Sequence, residues 1–175
     1  MLPSSSLDAN QKLRERNTKL ESELSEAQGF LSVVEKIGEK EAKKIIGFAK
    51  DKYGSSLLVV KRRYQEHLDI EVYDRFFREY HIPCWIQGDI DVVSNDKITV
   101  VDFLVDKDVQ NRGRGEIAMA YFIRECKSEG IKKITGSLSW KDKDDFNKLE
   151  HFYTKCGFEV RFNSDRTGGN IKMEL

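Results

Sequence analysis

In the first third of the chain, apolar side chains recur in alternating steps of four and three. Leu13, Leu20, Leu24, Ala27, Leu31 and Val34, with Asn17 in the same series, form the narrow a/d seam of a coiled coil. With Leu13 at d, Asn10 and Asn17 fall at a, where a polar amide favours a two-stranded, in-register pair. Arg16 at g would face Glu21 at e of a parallel partner. Residues 7–28 are therefore expected either to form a homodimer through this seam or to lie as a solvated helix on their own domain. Gly29 divides the pattern, at a cost of about 1 kcal/mol relative to Ala inside a helix. Beyond it the apolar set widens to Phe30, Leu31, Val33, Val34, Ile37, Ala42, Ile45, Ile46 and Ala49, predicting a docked helix that ends at Tyr53-Gly54-Ser55-Ser56. Residues 1–54 are thus expected to be a helical or coiled-coil segment, with the globular domain at 55–175.

The remainder alternates strand-like and helix-like runs. Leu57 to Val60 reads as a strand, and Leu68 to Tyr80, stopped by Pro83, as a helix carrying Val72, Phe76, Phe77 and Tyr80. Strands over 84–93 and 98–105 flank Ser94-Asn95-Asp96-Lys97, a hairpin turn. A helix to about Ser128, a strand over 131–138, a helix over 142–156 and a terminal hairpin turning at Thr167-Gly168-Gly169-Asn170 complete the pattern.

Between the strand ending at Val105 and the helix after it stands Gln110-Asn111-Arg112-Gly113-Arg114-Gly115. Glycine removes the Cβ that would hold a ligand off the backbone, so successive N–H groups can line one concavity. The following helix adds unpaired N–H groups and the positive end of its dipole, which suits a phosphate. Arg112 and Arg114 are expected to add full charges beside it. A short Gly-x-Gly alone is as often an ordinary turn, so the flanks decide.

Composition narrows the function. Charged residues make up 34% of the 175 residues, yet the formal net charge is zero, which argues against nucleic acid as the main partner. A hydrophobic content of 39% with only two prolines indicates an ordered protein. No apolar run reaches the length of a membrane span, and the first residues lack the pattern of a secretory leader, so a cytoplasmic protein without membrane contact is expected. Cys84, Cys126 and Cys156 have no metal-ligand spacing, nor do His67, His81 and His151, so no metal site is expected.

A second motif lies downstream, at Phe152-Tyr153-Thr154-Lys155-Cys156-Gly157-Phe158. Together with Gln110, Gly113 and Gly115 it makes the chain, from about Ser55 to Leu175, resemble the GNAT superfamily of acyl-CoA-dependent N-acetyltransferases. The resemblance implies an α/β (α+β) fold: a mixed, mostly antiparallel twisted sheet flanked by helices, here preceded by a long N-terminal helix. It also implies acetyl-CoA as co-substrate and an amine acceptor attacked directly in a ternary complex. Leu104, Val105, Gln110, Asn111, Arg112, Gly113, Arg114, Gly115 and Tyr153 would then bind the cofactor. Tyr153, the motif's tyrosine, would protonate the departing thiolate.

The base is less defined. The family's usual glutamate positions hold Thr99 and Val101, leaving Asp102 as the acid on the strand before the loop; base, partner of a cationic acceptor and structural acid remain open for it. The family often carries an Asn soon after the next strand, where this chain has Trp140 to Asp145, and Asn147 is a possible replacement. A cysteine nucleophile at Cys126 would lie about 16 Å along the helix from the loop. The alternative to an enzyme is a non-catalytic CoA-binding or assembly module that dimerises through the N-terminal coil.

Overall fold

The computed structural model describes residues 4–40, 42–76 and 81–175, with side chains from residue 9 onward. It contains α1 (Ser4–Gly38), β1 (Lys43–Lys50), β2 (Ser56–Tyr64), β3 (His67–Tyr73), β4 (Cys84–Ile90), β5 (Lys97–Val105), α2 (Arg114–Ser128), β6 (Lys133–Leu138), α3 (Phe146–Lys155), β7 (Glu159–Phe162) and β8 (Gly169–Glu174). The strands form one sheet in the order β1-β2-β3-β4-β5-β6-β8-β7. Every neighbouring pair is antiparallel except β5 and β6, which the α2 crossover makes parallel. This is the expected mixed, mostly antiparallel sheet with flanking helices behind a long N-terminal one.

Alternation along the strands sorts side chains between the two faces. Leu57, Val59, Leu68, Ile70, Val72, Ile86 and Ile98 bury one face against Ala118, Met119 and Phe122 of α2 and Phe146 and Tyr153 of α3. Fully burying one such large side chain contributes about 1.5–3 kcal/mol. On the other face Leu58, Val60 and Tyr73 receive Val33 and Ile37 of α1, with Phe30, Val34 and Ile45 at the margin.

Two helix expectations are overturned. The predicted helix over 29–53 stops at Gly38, and Lys43–Lys50 is an edge strand paired to β2. The spacing of Ile45, Ile46 and Ala49 fits a helix, but adjacent β-branched residues and a glycine fit a strand as well, and tertiary pairing decides. The expected helix over 68–80 is β3 as far as Tyr73, joined to β2 by a turn at Gln65 and Glu66; Phe77 to Tyr80 lie outside the described residues. Its alternation was hidden because the polar positions are buried too. Glu71 accepts from Lys43 Nζ at 2.5 Å and from the Tyr73 hydroxyl at 2.7 Å, while Asp69 accepts from Arg62 Nε at 2.8 Å. Buried acids of this kind require such partners.

Gly29 does not break α1. A Cβ there would lie 2.9 Å from Cβ of Arg75, so glycine permits the close approach that seats the helix on the domain. Among the described residues no helix is long and apolar enough to cross a membrane.

Candidate active site

β5 pairs with β6 only from Lys97 to Val100, opposite Lys133 to Gly136. Beyond that point β5 continues alongside β4 as far as Val105, whereas Ser137 and Leu138 of β6 pair with β8. The two strands part, and among the described residues no strand pairs with the β6-facing edge of residues 101–105. A register shift between β4 and β5 occurs at the same place: Gln87 opposes Asp102 and Gly88 opposes Val100, so Val101 is the extra residue of a bulge. Such bulges re-aim side chains. Here the shift sends Phe103 and Val105 toward the helices and leaves Val101, Asp102 and Leu104 exposed.

The glycine loop follows at the end of β5. Gln110 donates its Nε2 to the carbonyl of Val105 at 3.0 Å, closing the strand end. Asn111 has φ 58°, and Gly113, the N-cap of α2, has φ 80° in the left-handed region. Gly113 has no side chain to cap the helix, so the N–H groups of the first turn keep no intrahelical acceptor. Among the described residues, no atom beyond its own chain neighbours lies within 4 Å of where its Cβ would be. Gly115 differs. A Cβ there would stand 3.3 Å from Phe103 Cζ and Val105 Cγ2, so its missing side chain accommodates protein, not open space. One glycine shapes the loop; the other lets α2 pack on β5.

The arginines do not stand as free charges, contrary to expectation. Arg112 donates its Nε to Asp51 Oδ2 at 2.7 Å and an Nη to Ser55 Oγ at 2.9 Å, with its guanidinium over the Tyr53 ring. Arg114 is buried; it donates an Nη to Asp74 Oδ2 at 2.9 Å, and its Nε faces Asp51 at 3.5 Å. Asp51 and Asp74 thereby tether the loop to the ends of β1 and β3. Asp51 also accepts from the N–H groups of Tyr53 and Ser55, an Asx-type turn. Burial alone would raise the Asp51 pKa, but the hydrogen bonds from Arg112, Ser55 and Tyr53 outweigh it and hold the carboxyl below its usual value. Neither acid was foreseen. Asp51 alone carries a local signal, the acid-to-glycine turn Asp51-Lys52-Tyr53-Gly54.

This tether carries a prediction. Asp51→Asn leaves Arg112 facing a neutral group and is expected to lower stability by about 3 kcal/mol, the low end for a broken buried pair because Arg112 is partly exposed. A depressed folded-state pKa stabilises above the unfolded value near 3.9 and is lost as pH falls through the folded one. The wild type should therefore lose stability below about pH 4 by a component missing from the variant. Urea midpoints across that range check both; equal midpoints at neutral pH would dismiss the tether.

On α3, Tyr153 is 6% exposed. Its ring meets Phe152 and Phe158 edge-on, at centroid distances of 5.2 and 5.6 Å, and Phe152 meets Phe103 of β5 at 5.3 Å. Burial, then the nearby Cys156, Asp142 and Asp102, push its hydroxyl up to about 12. Asp102 itself is exposed, with Oδ1 accepting from the N–H of Phe103 at 2.8 Å. The bulge turns it out. Asn147 accepts from Arg166 at 3.3 Å. Cys126 is a fully buried core residue whose thiol is pushed up to about 12 by burial, a poor nucleophile in that state.

The chain as a whole has counterparts among known proteins. The family model described as "Acetyltransferase (GNAT) family" matches residues 6–158. A curated relative, the uncharacterized protein YocC of Bacillus subtilis (strain 168), is 36% identical over 62 residues, 35% of this chain and 38% of that protein; the match thus spans well under half of the relative's length. Among solved structures, the GNAT domain of S. lividans PAT superposes with a TM-score of 0.58 at 11% identity, covering 74% of this chain and 96% of that one. A Klebsiella pneumoniae protein of the acyl-CoA N-acyltransferase type gives a TM-score of 0.51 at 9% identity, covering 63% and 74%. At such identities the structures speak for the fold, and the family match covers most of the chain. With the parted strands, the glycine loop and the buried tyrosine assembled on that fold, the chain belongs to the GNAT acetyltransferase family.

Proposed function

We propose that the chain moves an acetyl group from acetyl-CoA to a primary amine by direct attack in a ternary complex. The observation that carries this reading is Gly113, held at φ 80° with open space before it, in the loop that follows a strand parted from its neighbour. A pyrophosphate would sit on the N–H groups of Gln110 to Gly115. The pantetheine arm would run along the unpaired edge at Leu104 and Val105, where a β-edge offers backbone donors and acceptors. Acetyl-CoA supplies an activated acyl group on a good leaving thiol. The arginines contribute by fixing the loop, through Asp51 and Asp74, and not by direct charge.

Tyr153 donates to the departing sulfur. A hydroxyl pushed up to about 12 stays protonated throughout the neutral range. Full transfer to a thiolate near 8.5 would be uphill in water. Burial raises a thiol as well, as at Cys84, pushed up to about 12, so the mismatch narrows inside the site. Asp102 takes the amine's proton, directly or through water, or pairs with a cationic acceptor. The amine must first be neutral, which holds for about one lysine side chain in 2,500 at pH 7 but roughly a tenth of α-amino groups.

The test is release of free thiol from acetyl-CoA, followed over a panel of amines beside calorimetric binding of acetyl-CoA. Binding without turnover on any amine would favour the non-catalytic module; no binding would end the reading. Rate against pH gives a further expected result. kcat/KM should rise through the acceptor's pKa and show no alkaline fall up to about pH 10, because the donor keeps its proton there. A descending limb near pH 8 would point to another acid.

A further inference from the structure

α1 carries two separate apolar stripes. At about 100° per residue, Leu13, Leu20, Leu24 and Leu31 fall within about 40° of one another, while Val33 and Ile37 lie about 160° and 120° away from Leu31. The second stripe is the one buried on the sheet. The first stays in solvent: Leu13 is 57%, Leu20 52%, Leu24 59% and Leu31 61% exposed, the last although the helix is docked at that level. From Ala9 to Ser25 every residue is exposed. A helix of this length standing in water is marginal, and within-helix contacts such as Gln11 to Glu15 and Lys19 to Glu23 add little. Something outside the described chain must cover the seam.

We propose that it is a second copy of this chain, paired through residues 7–28 and on to Leu31 as a parallel, two-stranded, in-register coil. Three observations select that occupant. The stripe has the 3.5-residue period of a coil and not the broad face of a helix lying on a globular surface. Asn10 and Asn17 at a fit a two-stranded register, and Arg16 at g meets Glu21 at e of a parallel partner. A lipid surface is disfavoured because residues 9–28 hold four basic and four acidic side chains, where an interfacial helix would be basic. The docked stripe then holds each domain to its own helix, so the coil sets the two domains side by side. The inference is independent of acetyl transfer.

Sedimentation of the full chain from low to high micromolar concentration tests it. A dimer is expected. Leu20→Glu with Leu24→Glu should raise its dissociation constant at least about a hundredfold, while Ser22→Glu, on the opposite side of the helix, should leave it unchanged. Arg16→Glu and Glu21→Arg should each weaken association and together restore it, which only a parallel in-register pair explains. Asn17→Leu should strengthen it and loosen the choice of oligomer. These positions are exposed, so unaltered circular dichroism separates lost pairing from lost folding. A monomer at every concentration overturns the proposal, as does a dimer that ignores the glutamates. Binding to phosphatidylcholine–phosphatidylserine vesicles by a monomeric chain would hand the stripe to lipid instead.

Discussion

Gly113→Val is expected to abolish useful acetyl-CoA binding while leaving the fold in place. Two effects act together. At φ 80° the backbone is in a region that β-branched residues rarely adopt, and holding one there costs about 1–3 kcal/mol. The new side chain would also occupy the space before the loop, where no described atom beyond the chain neighbours now lies within 4 Å. Where the free valine loop relaxes out of this conformation, binding must restore it, and at 1.4 kcal/mol per factor of ten that strain gives about five- to 150-fold; filling the approach adds to it. Gly113→Asn separates the causes, because Asn tolerates the left-handed region yet still adds bulk. Calorimetry with acetyl-CoA measures both. Native-like affinity in the valine variant would end the phosphate-loop reading. Gly115→Ala makes a contrast: its Cβ would press on Phe103 and Val105, so stability should suffer before affinity does.

The two glycines also show how far one sequence can be read. The order strand, glycine loop, helix was legible because the chain needs a left-handed residue at Gly113, and few residues other than glycine take that conformation freely. The hairpin at Ser94 to Lys97 was legible for similar reasons, with Asn95 at φ 53°. What resisted was whatever depends on partners far along the chain. β3 hid because Asp69 and Glu71, which look like solvent-facing positions, are buried against Arg62, Lys43 and Tyr73. β1 hid because its pairing to β2 outweighs a helix-like spacing. Arg112 and Arg114 looked like phosphate ligands since their acids stand 61 and 40 residues earlier. Local chemistry showed the loop; it could not show what holds the loop still. The exposure of Asp102 likewise follows from the bulge at Val101, a register event between strands that no single strand announces.

Tyr153→Phe is the sharpest test of the chemistry, since it removes one oxygen and keeps the ring. Phe152 and Phe158 meet Tyr153 through its aromatic body, at 5.2 and 5.6 Å, so their packing should survive the change. Acetyl-CoA affinity should accordingly change little. Turnover should fall by about a hundredfold, the lower end of what a positioned proton donor contributes. A loss in kcat at constant binding marks an interaction made in the transition state, whereas a loss carried by affinity would mark a packing role. The surroundings favour the first outcome. A group pushed up to about 12 by burial and by neighbouring Cys156, Asp142 and Asp102 is costly to ionise, so it remains a donor whatever the acceptor's protonation. Hydrogen bonds to charged groups are roughly twice as strong as neutral ones, so a donor set against the sulfur, as proposed, would hold a developing thiolate better than the thioester. The donor's contribution thus grows along the reaction. Full activity in the phenylalanine variant would return Tyr153 to the core and leave the thiolate to be protonated by water.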